Sequence, residues 1–476
     1  MNLRTAGAPC RGPISAAAVH PGPGNDIGAM FRRLLLLGLL LRAAALPLAG
    51  TEDVRVWKTW SYGAVHGITS MYGVGGQPPV RGLVSWGDVH TTVDYPPATL
   101  AGLSIVGRAY RLLDPSFADS RQLTVLIKLS ILLMEAFGCW LLWMLVERMA
   151  GEPAGRRAAV FYWLNPAAIL DGAILGYLDP WMLVPIITAL IAAHAGAAAV
   201  CGAALAMGML LKLQAVFAVP AAAMLLWHGS RRPLRTSLIA AASALAVATF
   251  SLLPFALGGA LPNVAQGVGS LLRHDMLSAA AANAWWIVTW MLRASYAAVD
   301  LGAWEAWTLP VRILGIRRFM ELGYPNPRPF ATALVVGLAV WGFYRARRSA
   351  TGSAPIVFLA AGAFAVHGYF MFAVQVHENH LFLALPLLAA TAAVYPRYQA
   401  IAAAISAVMT LNLLLFYGIG RDLPALPRTT TIIDATVLLS IIHVAIFIWH
   451  VRVLRHVTTP GAAWARSGSG DRNQQS

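Results

Sequence analysis

Charge is what this 476-residue chain has least of. Only 12% of its residues are Asp, Glu, Lys or Arg, and just 20 are acidic. A soluble domain carries about 25% charged residues. With 58% hydrophobic residues and a mean hydropathy of +0.65, the chain has lipid rather than water as its solvent. Cysteine is nearly as scarce. Cys10, Cys139 and Cys201 show no metal-ligand spacing and imply no disulfide framework, and the last two fall in apolar runs as small packing residues. A soluble basic domain is missing too. The formal charge of +15 would otherwise suggest nucleic acid. The cations sit instead in short loops between apolar runs: Arg32-Arg33, Arg156-Arg157, Arg231-Arg232, Arg345 with Arg347-Arg348, and Arg452 with Arg455. That is the positive-inside pattern of a multi-pass membrane protein, and it excludes nucleic acid as a partner.

What is present is a succession of apolar runs, each near the roughly 20 residues needed to cross the hydrocarbon core. They are apolar on all sides, where a soluble helix would show a stripe. The expected fold class is all-α, a polytopic membrane bundle of about 12 transmembrane helices with two long outer loops. Residues 1–29, rich in Pro, Gly and Ala, are expected to form a disordered cytoplasmic tail, with Met30 a candidate true start. A membrane module over 30–258 includes a first span at 34–50 and a first outer loop at 51–121. Within that loop 51–97 reads as polar and Gly-rich, and 98–113, which carries Arg108 and Arg111, as a helix lying at the interface. Further spans are expected at 123–146, 158–174, 180–195, 198–211, 214–228 and 237–257. A second long outer loop at 259–328, dense in tryptophan (Trp285, Trp286, Trp290, Trp304, Trp307), is expected to hold interfacial helices. C-terminal helices over 329–455 and a tail over 456–476 complete the chain. Both termini are then cytoplasmic, and an inner (plasma) membrane of a bacterium is the expected location.

Ionisable residues at membrane depth are costly and mark function by default. Just past the first span lie Glu52 and Asp53. A carboxylate there would take a proton from a hydroxyl or hold a divalent cation, although by position alone ordinary solvated surface charge is the favoured explanation of the pair. Asp94-Tyr95-Pro96-Pro97 opens a helix, with the prolines preset for a helical start and Asp94 placed to cap it or to face its positive end. Lys128 and Glu135 lie seven residues apart on one helix face, which suits an internal pairing through neighbours. Lys212 precedes a short helix broken at Val219-Pro220, where snorkelling is the alternative. Gln214, two residues on, should face elsewhere on a continuous helix. Asp179-Pro180 would cap the following span. His377-Glu378-Asn379-His380 lacks the H-E-x-x-H spacing of zinc proteases, so polar contact with an anion or acceptor is preferred to metal ligation.

The order of these elements resembles the GT-C superfamily of polyprenyl-phosphate-sugar glycosyltransferases, notably dolichyl-phosphate-glucose glucosyltransferases and bacterial proteins related to GPI mannosyltransferases. The likeness rests on Glu52-Asp53 after the first span, Asp94-Tyr95-Pro96-Pro97, Leu164-Asn165-Pro166 through Gly176-Tyr177-Leu178-Asp179, Leu211-Lys212-Leu213-Gln214, Asn283-Ala284-Trp285-Trp286 and Gln375-Val376-His377-Glu378. It extends from about residue 34 to 395. Tyr177, Leu213 and Glu135 depart from the residues usual in bacterial relatives.

The resemblance implies a GT-C fold and transfer of a hexose, mannose or glucose, from a polyprenyl-phosphate donor to a glycan, lipid or protein acceptor on the periplasmic or luminal side, with inversion. Asp53 becomes the candidate general base, with Glu52 its neighbour or substitute. Lys128, Lys212, Gln214, Arg273, His274, His377 and Glu378 become candidates for the donor and its phosphate. Asp94, Tyr95, Asp179, Asn283 and Trp286 become candidates for positioning the acceptor or the loops. No cofactor is implied, although the carboxylates would suit a divalent cation. The rival reading is a secondary transporter or lipid flippase, which also needs buried Lys, Asp and His. No inverted repeat of the transporter kind is visible in the sequence.

Overall fold

The structure, a computed structural model, describes residues 24–73, 83–271, 273–349, 355–429 and 433–459. It is predominantly helical, with two small pairs of strands among the described residues. Five helices are long and apolar enough to cross a membrane: Arg121–Ala150, Pro233–Leu257, Pro327–Ser349, Pro396–Tyr417 and Ala435–Val457. A sixth span arises if Glu152–Trp163 and Pro166–Leu175, bent by 47° at a short break, count as one. Four more apolar segments, Asp179–His194, Ala198–Leu211, Leu213–Gly229 and Val357–Phe372, are shorter than a full span. The helices thus follow the apolar runs of the sequence, but length and composition support five or six crossings, and the count of about twelve is not carried. Short helices of this kind are stable where protein, not lipid, surrounds them. Val357–Phe372 illustrates this, since nearly every side chain along it is buried.

Several boundaries differ from expectation. The first helix, Gly24–Ala45, starts inside the stretch read as a tail; residues 1–23 and 460–476 of the two expected tails lie outside the described residues. The polar stretch after it is not a loop throughout. Glu52–His66 is a helix whose Val54, Trp57, Trp60 and Ala64 fall at three- and four-residue intervals on its buried face. That amphipathic stripe is obscured in the sequence by the charges between its members. The helix packs on Pro97–Leu113, where a Cβ on Gly107 would lie 2.6 Å from the Ser61 carbonyl oxygen. Between them an antiparallel hairpin, Leu83–Trp86 with Val89–Thr92, turns at Gly87-Asp88 with Gly87 at φ +59°.

Two buried polar networks tie the bundle together. Arg42 lies fully buried against Glu135, its Nε donating to Oε2 at 2.8 Å and its Nη2 to Oε1 at 2.5 Å. Its Nη1 donates to the Trp163 carbonyl at 2.7 Å, and the guanidinium stacks 4.0 Å from the Trp163 ring centroid. Elsewhere His367 bridges His443 (Nε2 to Nε2, 3.0 Å) and His450 (Nδ1 to Nδ1, 3.0 Å), while His443 Nδ1 meets the Ala282 carbonyl at 2.7 Å.

Candidate active site

One cavity of about 1000 Å³ collects most of the chemistry-bearing residues. Its wall includes Glu52 and Asp53 from one helix, Asp94 and Tyr95 from the segment opening the next, Lys212 and Gln214 from a helix break, and His274, His377 and Glu378 from the outer loop and the Val376–His377 strand.

Asp53 lies in the first turn of Glu52–His66. That helix start is docked on the turn after the π-helical segment Ile169–Leu175: Thr51 N donates to the Leu175 carbonyl at 2.9 Å, and Trp57 Nε1 to the Gly176 carbonyl at 3.2 Å. Gly176 has φ +81°, and a Cβ there would lie 2.5 Å from Val54 Cγ2. Only glycine admits both the backbone and the approach, which explains the glycine at 176, the second of the two between Leu164-Asn165-Pro166 and Asp179. Burial raises the Asp53 carboxyl to about 6, against the opposing pull of Lys212 and with help from Asp94, Asp179 and Glu52. Its neighbour Glu52 instead points to the exposed rim and pairs with Arg55 and Arg421, each at 3.2 Å.

Lys212 takes an extended conformation, φ −151° and ψ 127°, between the helix Ala198–Leu211 and the 3₁₀ turn Leu213–Ala218. This corrects the expectation that Gln214 faces elsewhere. The helical phase is interrupted at Lys212, so both side chains reach one cavity. Lys212 Nζ donates to Asp179 Oδ2 at 2.6 Å, which also accepts from Asn379 Nδ2 at 2.9 Å. Asp179 is therefore held as the partner of a buried lysine and makes no side-chain cap. The N-cap of the helix Pro97–Leu113 is Pro96, without a side-chain bond, and Asp94 lines the cavity. Tyr95 meets Trp57 and Trp60 edge to face, with Lys212 Nζ 5.9 Å from its ring centroid.

At the far wall Glu378 accepts from the Tyr177 hydroxyl at 2.8 Å. Burial raises its carboxyl to about 7, with Asp53 adding to the shift and the bond from Tyr177 opposing it. His377 is pushed down to about 4 by burial, by His274 and by Lys212, so at neutral pH it is an uncharged donor and acceptor. The His274 and His377 rings sit edge to face with centroids 5.8 Å apart. A parallel pair of short strands, Ser278–Ala279 with Val376–His377, fastens the outer loop to this wall.

Four expected site residues are placed elsewhere. Lys128 is fully buried and donates to the Ile174 carbonyl at 2.7 Å and the Ala45 carbonyl at 3.4 Å; it neither lines the cavity nor pairs through neighbours with Glu135, whose partner is Arg42. Arg273 is exposed and donates to the Gly269 carbonyl at 3.2 Å. Asn283 caps the helix Ala284–Leu301, accepting from Trp286 N at 3.0 Å and donating to the Phe370 carbonyl at 3.1 Å. Trp286 is a core residue whose Nε1 donates to Thr436 at 2.7 Å. An N-cap and a core indole satisfy the same sequence pattern as a loop motif, and no local signal separates them. Sequence reasoning also passed over Arg328, which lines the cavity at the start of Pro327–Ser349. Its only herald was its place just past a proline at the head of an apolar run. Among the described residues no group of three or more His, Cys, Asp or Glu is arranged to hold a metal ion.

No protein-family model matches the chain, and no curated protein matches it. Two solved structures, both of the oligosaccharyltransferase of Archaeoglobus fulgidus, are similar to it. One, tethered with an acceptor peptide containing the NVT sequon, is 11% identical with a TM-score of 0.40, over 91% of this chain and 55% of that one. The other, an apo form, is 13% identical with a TM-score of 0.40, over 93% and 58%. The chain spans a little over half the length of that enzyme. Likeness of this degree is compatible with many functions, so the chemistry of the site has to carry the functional reading.

Proposed function

We propose that the protein is a membrane glycosyltransferase of GT-C type that moves a hexose, mannose or glucose, from a polyprenyl phosphate to an acceptor hydroxyl of a glycan, lipid or protein on the periplasmic or luminal face. The observation that carries this reading is the meeting of Asp53, Asp94, Lys212, Gln214, His377 and Glu378 in one cavity. These residues come from four separated stretches of sequence, each part of the family-like pattern. Asp53 is the general base. With a carboxyl near 6 it is ionised at neutral pH, yet close enough to that pH to take a proton in the transition state.

In the proposed step the acceptor oxygen attacks the anomeric carbon from the face opposite the phosphate. The bond from that carbon to the phosphate oxygen breaks, and the acceptor proton passes to the Asp53 carboxylate. Polyprenyl phosphate leaves as an anion and needs no general acid, unlike the leaving group of a glycoside hydrolase. Donors aimed at the departing charge do the remaining work. Lys212 contributes its field while held by Asp179, and His377 contributes an imidazole N–H. We place it in a bacterial inner membrane with both termini cytoplasmic on the strength of the basic loops of the sequence, and the donor's lipid tail likewise calls for a membrane.

The test is turnover by the purified full chain given polyprenyl-phosphate mannose or glucose and candidate acceptors. Release of polyprenyl phosphate matched by an inverted glycosidic product is the expected result. Failure to consume any such donor, with dissipation of a solute gradient in reconstituted vesicles, favours a transporter and overturns the proposal.

A further inference from the structure

Arg328 stands apart from the cavity's other cations. Lys212 is matched by Asp179 and Arg421 by Glu52, whereas Arg328 has no carboxylate partner among the described residues. Its Nη2 donates to the His274 carbonyl at 3.1 Å, and its buried Nε has no hydrogen-bond partner. The same carbonyl accepts from Gln375 Nε2 at 2.5 Å, which fixes the backbone that Arg328 leans on. A guanidinium is never deprotonated in a protein, and an unanswered N–H of a charged group is expensive to bury. A site of this kind is completed by an anion, and the planar fork of arginine suits a phosphate best.

The helix that carries Arg328 also says what lies behind the anion. Ala331, Thr332, Val335 and Val336 of Pro327–Ser349 line the cavity at three- and four-residue intervals after Arg328, so cation and small apolar side chains form one stripe. Val216 and Phe217 line the same cavity, with the Phe217 and Tyr369 rings tilted by 36° and 4.2 Å apart between centroids. Val216 and Val336 are 47% and 54% exposed, so this end of the cavity opens sideways between two apolar segments rather than only toward the rim where Glu52 lies.

We infer that this stripe is a binding site for an amphiphilic phosphate, with the phosphate on Arg328 and the hydrocarbon chain along Ala331, Val335 and Val336. The inference rests on the glycosyl-transfer reading for the name of its ligand, the polyprenyl phosphate of the donor. It assigns the donor to the Arg328 wall and leaves the Asp53 wall to the acceptor. The neighbouring imidazoles of His274 and His377 supply further N–H donors around the same phosphate.

The experiment measures binding of undecaprenyl phosphate, undecaprenol and inorganic phosphate to the full chain in detergent, for the parent, Arg328→Gln, Arg328→Lys and Val335→Trp. The parent should bind the lipid phosphate at least tenfold more tightly than the alcohol. Arg328→Gln should erase that preference, and Arg328→Lys, which keeps the charge but not the fork, should retain part of it. Val335→Trp, melting as the parent does, should weaken both lipids about tenfold. An undiminished preference in Arg328→Gln overturns the inference. So does lipid binding untouched by Val335→Trp, or inorganic phosphate bound as tightly as the lipid phosphate. If Arg328→Gln does not fold, a preference in Arg328→Lys equal to the parent's is the contrary result. The two proposals fail separately. Arg328-dependent binding without transfer to any acceptor removes the enzyme reading and leaves the site. Transfer that depends on Asp53 while Arg328→Gln binds lipid phosphate like the parent removes the site and leaves the enzyme.

Discussion

Replacing Arg42 by methionine should be among the most destabilising changes available outside the cavity. In the parent, Glu135 receives two bonds from the guanidinium and one from the Tyr162 hydroxyl at 3.3 Å, with both members of the ion pair at 0% side-chain exposure. Removing Arg42 leaves a carboxylate deep in the bundle with only the Tyr162 bond and strips the Trp163 carbonyl of its donor. Removing one partner of a buried ion pair typically costs about 3–5 kcal/mol, because the survivor cannot recover its hydration. The orphaned carbonyl adds about 1–3 kcal/mol. The double replacement Arg42→Met with Glu135→Leu removes both charges together and should recover most of that loss, since well-packed apolar substitutes for buried ion pairs are often neutral or better. Cys139 and Cys201 are buried and free, so labelling by a thiol-reactive fluorophore during heating, in a Cys10→Ser background, reports unfolding directly. The expected order of melting temperatures is parent, then the double variant close behind, then Arg42→Met far below. An Arg42→Met chain that melts with the parent, or a double variant worse than the single, refutes the reasoning.

The histidine chain makes a second prediction. In neutral imidazoles His443 Nδ1 must donate to Ala282, so its Nε2 accepts from His367, whose Nδ1 in turn accepts from His450. Exchanging His367 for phenylalanine orphans a ring nitrogen on each neighbour, a loss of about 1–3 kcal/mol apiece, to be read as a lowered melting temperature; an unchanged melt contradicts the chain. Catalytic pH dependence gives a third. The Asp53 carboxyl, raised by burial to about 6, must be ionised to act as base. Transfer should therefore fall about tenfold per pH unit below that value and level off above it, and a rate flat down to pH 4.5 counts against the assignment. A fourth concerns stability. Because the folded chain holds the Asp53 proton more tightly than the unfolded chain, stability from this group declines as pH rises from the ordinary carboxyl range to about 6. At neutral pH Asp53→Asn should then melt no lower than the parent, and a clear drop in melting temperature argues that the carboxylate has a structural partner.

Much of the fold was legible because lipid imposes long apolar runs, and nearly every expected run became a helix. Crossing number was less legible. A helix buried by protein and one buried by lipid share the same composition, and Val357–Phe372 is apolar all round yet too short for a full span. In the cavity, Asp53, Asp94, Lys212 and His377 were readable as costly polar residues at the ends of apolar runs. Gln214 was misjudged because helical phase was carried across a break that only the extended backbone of Lys212 reveals. The seven-residue spacing of Lys128 and Glu135 leaves open both a phosphate contact for Lys128 and a pairing through neighbours, and the structure bears out neither. The partner of Glu135, Arg42, lies on a different helix 93 residues away, a pairing that depends on tertiary packing. Asn283 and Trp286 carry a motif whose local geometry, an N-cap and a packed indole, is sufficient reason for those residues. Arg328 was invisible because an arginine at the head of an apolar run normally means only topology.

The central claim rests on Asp53, and the most direct measurement is single-turnover transfer from a polyprenyl-phosphate hexose by the parent, Asp53→Asn and Asp53→Glu in parallel. Loss of a positioned general base typically costs about 10²- to 10⁴-fold. Asp53→Asn is therefore predicted to fall by at least a hundredfold while still binding the donor and melting like the parent, with Asp53→Glu intermediate. An Asp53→Asn enzyme that transfers sugar at the parent's rate contradicts the account.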